Sequence, residues 1–185
     1  MNILIIRTRL VKDSEEIQFI QNLFPTTIVE CEQYLDVIKA VKDNQFDILH
    51  FPSHGDVNQL LLKTGILSTK MFDSALRNPL LVFVNACSTI TMASVLNTRN
   101  SISWRIEVGE RVAVEYSNCF YTALFASNDI KQAYEAACEM ISMKFPNDEF
   151  PILLHKPENE TKQEESDKFT FNISGNINTL IGQQK

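Results

Sequence analysis

The run Leu80-Leu81-Val82-Phe83-Val84 constrains this chain more than any other segment. It is apolar at both alternating positions, so as a strand it must be covered on both faces. It therefore predicts the centre of a mostly parallel sheet with helices on each side. The neighbouring patterns agree. Ile3 to Ile6 reads as a buried strand and Thr27 to Cys31 as a β-branched one. Phe46 to Phe51 reads as a third strand, Ser101 to Trp104 as a short one, and Pro151 to His155 as a last strand. The leading Pro places that last strand at an edge. Helical periods separate them: Ile17, Ile20 and Phe24, then Leu35, Ile38 and Val41. A helix from Ser68 or Thr69 to Leu76, a short one ending near Leu96, and two long ones over Val112 to Ala126 and Asp129 to Phe145 follow. Asp13 with Glu16, and Asp129 with Gln132, have the spacing of capping boxes. Strand–helix alternation of this kind implies a three-layer αβα domain over residues 1–155.

Composition excludes several function classes. The net charge of −6 leaves no basic footprint for nucleic acid. No apolar run is long enough for a membrane span, and the brief apolar N-terminus lacks a signal-peptide cleavage site, so a cytoplasmic location is expected. The four cysteines, Cys31, Cys87, Cys119 and Cys138, are far apart, which fits reduced thiols better than a disulfide framework or a zinc site. The first strand–helix turn, Arg7-Thr8-Arg9-Leu10, carries no glycine and no phosphate loop occurs, which argues against a nucleotide enzyme. No cofactor and no metal are expected. Residues 156–168 form a polar linker without a hydrophobic residue. Residues 169–185, beginning Phe169-Thr170-Phe171, turn apolar again and read as a C-terminal tail that orders on a partner, or as a frayed end.

Ligands of parallel sheets bind beyond the carboxyl ends of the strands. Two such ends carry chemistry: Pro52-Ser53-His54-Gly55 after the third strand, and Asn85-Ala86-Cys87-Ser88 after the central one. If the two strands are neighbours, an imidazole and a thiol leave the sheet at the same edge. That pair suits nucleophilic catalysis, with His54 as base and Cys87 as nucleophile. Gly55, lacking a side chain, and the Cys87 backbone at a strand-to-helix turn could supply the oxyanion N–H donors. The competing reading makes Cys87 a small buried hydrophobe. His50 reads as structural, with orientation of His54 as an alternative, and His155 as exposed.

The same residues resemble a known family. Phe46-Asp47-Ile48-Leu49-His50-Phe51-Pro52-Ser53-His54-Gly55 and Leu81-Val82-Phe83-Val84-Asn85-Ala86-Cys87-Ser88 resemble two segments of CHAT domains, which are caspase-related cysteine peptidases. Ile102 to Val108 resembles the strand and turn after the active-site helix, and Ala113 to Leu124 and Ala133 to Ala137 resemble the family's following helices. The resemblance spans roughly residues 25 to 155. It implies a caspase-like fold, a Cys87–His54 dyad with an oxyanion hole at Gly55 and Cys87, and cleavage of a protein substrate through an acyl-enzyme. It further implies a regulated effector in a bacterial signalling or defence system. A sensor protein would act in trans, with the 169–182 tail as its docking segment. Glu107 and Glu110 read either as lining a pocket for a basic side chain before the scissile bond or as plain solvated loop residues. Two alternatives stay open: a non-catalytic interaction module that keeps the fold, and a flavodoxin-like regulatory domain.

Overall fold

The computed structural model describes residues 1–8, 15–52, 55–56, 59–67 and 69–156. Its main sheet is built from β1 (Ile3–Thr8), β2 (Thr26–Cys31), β3 (Ile48–Pro52), β7 (Leu81–Asn85), β8 (Asn100–Ser103) and β9 (Ile152–His155). The spatial order is β2-β1-β3-β7-β8-β9. Every pairing is parallel except β8 with β9, which is antiparallel. The expected central strand is indeed interior, and the Pro-led last strand is at an edge.

Alternation along the strands sorts side chains into two apolar layers, because successive residues face opposite sides of a sheet. Ile3, Ile5, Ile48, Leu81 and Phe83 face α1 (Glu15–Leu23), α5 (Glu110–Ser127) and α6 (Ile130–Lys144). Leu4, Ile6, Leu49, Phe51, Val82 and Val84 face α2 (Tyr34–Asp43), α3 (Thr69–Asp73) and α4 (Ile90–Val95). Strand β7 is buried at all five positions, which is why its sequence is apolar at both parities. On the first face Phe83 packs against Tyr116, Phe120 and Tyr121, with ring centroids 5.5–6.1 Å apart. The result is the three-layer αβα architecture.

Helix termini follow local chemistry. Asp36 Oδ2 accepts the N–H groups of Glu32 and Gln33, at 3.1 Å each, and closes the start of α2. Asp129 caps α6 by accepting the Gln132 N–H at 2.8 Å, as its spacing implied. Asn128 ends α5 in the left-handed conformation, φ 55°. The cap expected at Asp13 lies outside the described residues. Its partner Glu16 turns its carboxylate into the core.

Between β3 and α3 the sequence pattern suggested only a loop. The structure places a second, antiparallel sheet there, of β4 (Gly55–Asp56), β5 (Gln59–Leu62) and β6 (Gly65–Leu67). Its apolar residues Leu60, Leu62 and Leu67 are buried in the α2/α3 layer. The β5–β6 turn is fastened to the β2–α2 loop: Thr64 N–H donates to the Glu32 carbonyl at 3.0 Å, and Lys63 Nζ lies 3.2 Å from Glu32 Oε2. Gly65, at φ 97°, makes the turn that a side chain would strain.

Candidate active site

Strands β3 and β7 are hydrogen-bonded neighbours, in parallel, and the final pair of the register is Pro52 with Asn85. The condition on which the sequence argument rested is therefore met. The two motif-bearing loops leave adjacent strands at the same level of the sheet. Cys87 stands two residues beyond Asn85. His54, two residues beyond Pro52 in sequence, lies outside the described residues.

Cys87 is half-buried at the junction between β7 and α4. Its sulfur accepts the Val108 N–H at 3.4 Å, and Sγ lies 3.7 Å from the Val108 carbonyl oxygen. The turn around it is held from one side by the segment that follows β8. Ser88 N–H donates to the Ile106 carbonyl at 3.2 Å, and the N–H groups of Thr89 and Ile90 donate to the Trp104 carbonyl at 3.0 and 3.1 Å. Thr89 Oγ1 closes the turn on the Ala86 carbonyl at 2.8 Å. Ser88 itself adopts φ 53°, a left-handed conformation that costs a non-glycine residue about 1–2 kcal/mol. These hydrogen bonds maintain that conformation directly after the nucleophile candidate.

Three of the four thiols sit in surroundings that suppress ionisation. Burial, reinforced by Asp36, pushes Cys31 up to about 12. Burial also pushes Cys119 and Cys138 above the ordinary thiol range. Cys31 and Cys119 are buried and Cys138 is half-buried, surroundings that leave a thiol a poor nucleophile.

Beneath Cys87 the structure reveals a polar network that sequence reasoning missed. Asn85 Nδ2 donates to Glu16 Oε1 at 2.7 Å and to the Ala113 carbonyl at 3.2 Å, while its Oδ1 accepts from Trp104 Nε1 at 2.8 Å. Trp104 and His50 are fully buried, and Glu16 is 3% exposed. His50 Nε2 stands 3.1 Å from Glu16 Oε1, within ion-pair distance but without a well-directed hydrogen bond. The His50 ring packs edge-on against Phe83 and Tyr121. His50 is thus a core residue, in keeping with its structural reading. A buried polar side chain at Glu16 was invisible to periodicity, because its position also suited a helix cap.

Glu107 and Glu110 are exposed. They flank Val108 and Gly109, so the chain that touches the Cys87 sulfur carries both carboxylates with it. Gly55 opens β4 opposite Leu60. His155 is exposed, with Nδ1 2.8 Å from Asn100 Oδ1. Among the described residues, no group of three or more His, Cys, Asp or Glu side chains could hold a metal ion, and no helix is long and apolar enough to cross a membrane.

The sheet order, the two helical layers and the small antiparallel sheet after β3 define a caspase-like α/β fold. Solved structures of cysteine proteases share it. The Arg-specific cysteine proteinase gingipain R (RgpB) of Porphyromonas gingivalis is similar with a TM-score of 0.58 and 15% identity, over 79% of this chain and 43% of that one. A secreted C11 cysteine protease from Bacteroides thetaiotaomicron, bound to an irreversible peptide inhibitor, gives a TM-score of 0.56 and 11% identity over 83% and 65% of the two chains. Caspase-1 from Spodoptera frugiperda gives 0.50 and 12% over 84% and 87%. The chain thus spans less than half of the gingipain and about two thirds of the C11 protease. At these identities the likeness establishes the fold alone. No protein-family model matches the chain, and comparison with curated proteins finds no similar sequence.

Proposed function

We propose that this protein is a cysteine endopeptidase in which Cys87 attacks a peptide carbonyl and His54 serves as its base. The observation that carries the reading is the Pro52–Asn85 register of two adjacent parallel strands. It ends two neighbouring strands at the same level, Pro52 two residues before His54 and Asn85 two before Cys87, at the carboxyl edge where parallel α/β proteins bind ligands. Cys87 is half-buried at the end of the central strand, a position that fits a nucleophile.

In this reading His54 takes the thiol proton as sulfur adds to the carbonyl, and returns it to the leaving amine. Water then hydrolyses the thioester. The N–H groups of Gly55 and Cys87 would hold the oxyanion. The exposed Glu107 and Glu110, carried by the segment against the sulfur, favour a basic residue before the scissile bond. The similar gingipain R is an Arg-specific cysteine proteinase, which is consistent with that preference. Membership of the CHAT group, a cytoplasmic role in bacterial signalling or defence, and a regulatory partner docking on the 169–182 tail belong to the same proposal.

The deciding experiment treats the full chain with an iodoacetamide-type activity probe and locates the label by mass spectrometry. Labelling of Cys87 that is lost in His54→Ala is the expected result. Equal labelling rates in the two proteins would refute a histidine-activated thiol. Full biological activity of Cys87→Ala would favour the non-catalytic interaction module instead.

A further inference from the structure

The Asn85 side chain has one orientation open to it. Trp104 Nε1 can only donate, so the Asn85 oxygen must face it, at 2.8 Å. The Glu16 carboxylate and the Ala113 carbonyl can only accept in their ordinary states, so the amide nitrogen must face them, at 2.7 and 3.2 Å. Both amide protons and the oxygen are therefore engaged. The three partners come from α1, the segment after β8, and α5. All the groups are buried, where a mismatched donor or acceptor is costly and a matched set is rigid.

Asn85 is the last residue of β7 and stands two residues before Cys87. Ala86, between them, is buried in the opposite layer. Beyond Cys87, the Ser88–Ile90 N–H groups are tied to the carbonyls of Ile106 and Trp104. The thiol-bearing turn is thus gripped at both ends, and Trp104 serves both grips: its indole holds Asn85 and its carbonyl holds Thr89 and Ile90. A network that only stabilised the core could be placed anywhere. This one converges on the strand end that aims Cys87.

We infer that Glu16, Asn85 and Trp104 are positioning residues for Cys87. Glu16 acts through the Asn85 amide to fix the direction in which the strand delivers the sulfur and the Cys87 N–H. This rests on Cys87 being the nucleophile. Displacements of about 1 Å in a reacting group lower rates by about a hundredfold, so a looser Asn85 should be felt in the chemical step rather than in substrate binding.

The test compares the full-length wild type with Glu16→Gln, Glu16→Leu, Trp104→Phe and His54→Ala. Two quantities are read on protein shown to be folded by circular dichroism. They are the alkylation rate of Cys87 by iodoacetamide, followed on its peptide by mass spectrometry, and kcat and KM on a basic-residue peptide substrate. Glu16→Gln keeps an acceptor of the same length and should stay within about threefold of wild type. Glu16→Leu should lower kcat at least tenfold with KM changed less than threefold, and slow Cys87 alkylation in parallel. Trp104→Phe, which frees one side of the amide, should lose about three- to tenfold in kcat. Should Glu16→Leu fail to fold, Glu16→Gln and Trp104→Phe still decide the matter. If Trp104→Phe, and Glu16→Leu where it folds, keep wild-type kcat and alkylation rate while His54→Ala loses both, the positioning role is overturned and the dyad stands. If His54→Ala alkylates as fast as wild type and neither protein cleaves peptide, the peptidase reading fails and the positioning role with it.

Discussion

Trp104→Phe is the sharpest test of how the centre of the fold is held. The indole is fully buried, packs edge-on to Tyr116 at 5.8 Å, and donates to Asn85 Oδ1 at 2.8 Å. Phenylalanine preserves the aromatic contact but removes the donor, leaving a buried amide oxygen without its partner at a cost of about 1–3 kcal/mol. It also removes roughly three ring atoms from a packed site, worth about 2 kcal/mol at the usual transfer value per carbon. The expected loss is about 4 kcal/mol, or a fall in Tm of roughly 10 °C for a chain of this size. The assay is urea unfolding by circular dichroism, since Trp104 is the single tryptophan and its fluorescence disappears with the substitution. A double-mutant cycle with Asn85→Ala separates the hydrogen bond from the cavity, and should show a coupling of about 1–2 kcal/mol. A loss below about 1 kcal/mol, or additivity within about 0.5 kcal/mol, would refute the hydrogen-bonded arrangement.

The cysteines should separate cleanly under native alkylation at pH 8. With Cys31 pushed up to about 12, roughly one molecule in ten thousand carries that thiolate, so label should accumulate on Cys87; comparable native labelling of Cys31, Cys119 or Cys138 would contradict the burial argument. Reversing charge with Glu107→Lys and Glu110→Lys together should shift peptide preference away from a basic residue before the scissile bond, by about tenfold in kcat/KM, which a peptide-library cleavage profile would read. Phe83→Ala, in the fully buried centre of β7, should cost about 3–5 kcal/mol in a denaturant titration. Backbone N–H donors hold the Asp36 carboxyl below its usual 3.8, so its folded form favours the carboxylate. Its contribution to stability is therefore complete above about pH 4 and is lost as pH falls through the lowered value. Asp36→Asn should remove that part of the acid dependence of Tm, and an unchanged acid limb would dismiss the cap's role.

Much of this architecture is written locally. An apolar run at both parities can be satisfied only between two helical layers, so Leu81 to Val84 dictated a central strand, and Pro151 an edge one. Asp129 three residues before Gln132 dictated a helix start. In each case the physical cause lies within a few residues of its effect. The placement of Cys87 directly after the central strand was legible because a strand-to-helix turn puts its residues at the carboxyl edge of a sheet. The small sheet of β4 to β6 was not legible, since its strands are two to four residues long and too short for any period to show.

Tertiary structure alone decided the adjacency of β3 and β7 and the meeting of Glu16 with Asn85, residues 69 apart in sequence. An acidic residue near a helix start serves equally as a cap or as a buried partner. Only the packing of α1 across the end of β7 resolves that choice, because a carboxylate leaves water only where donors are already in place to receive it.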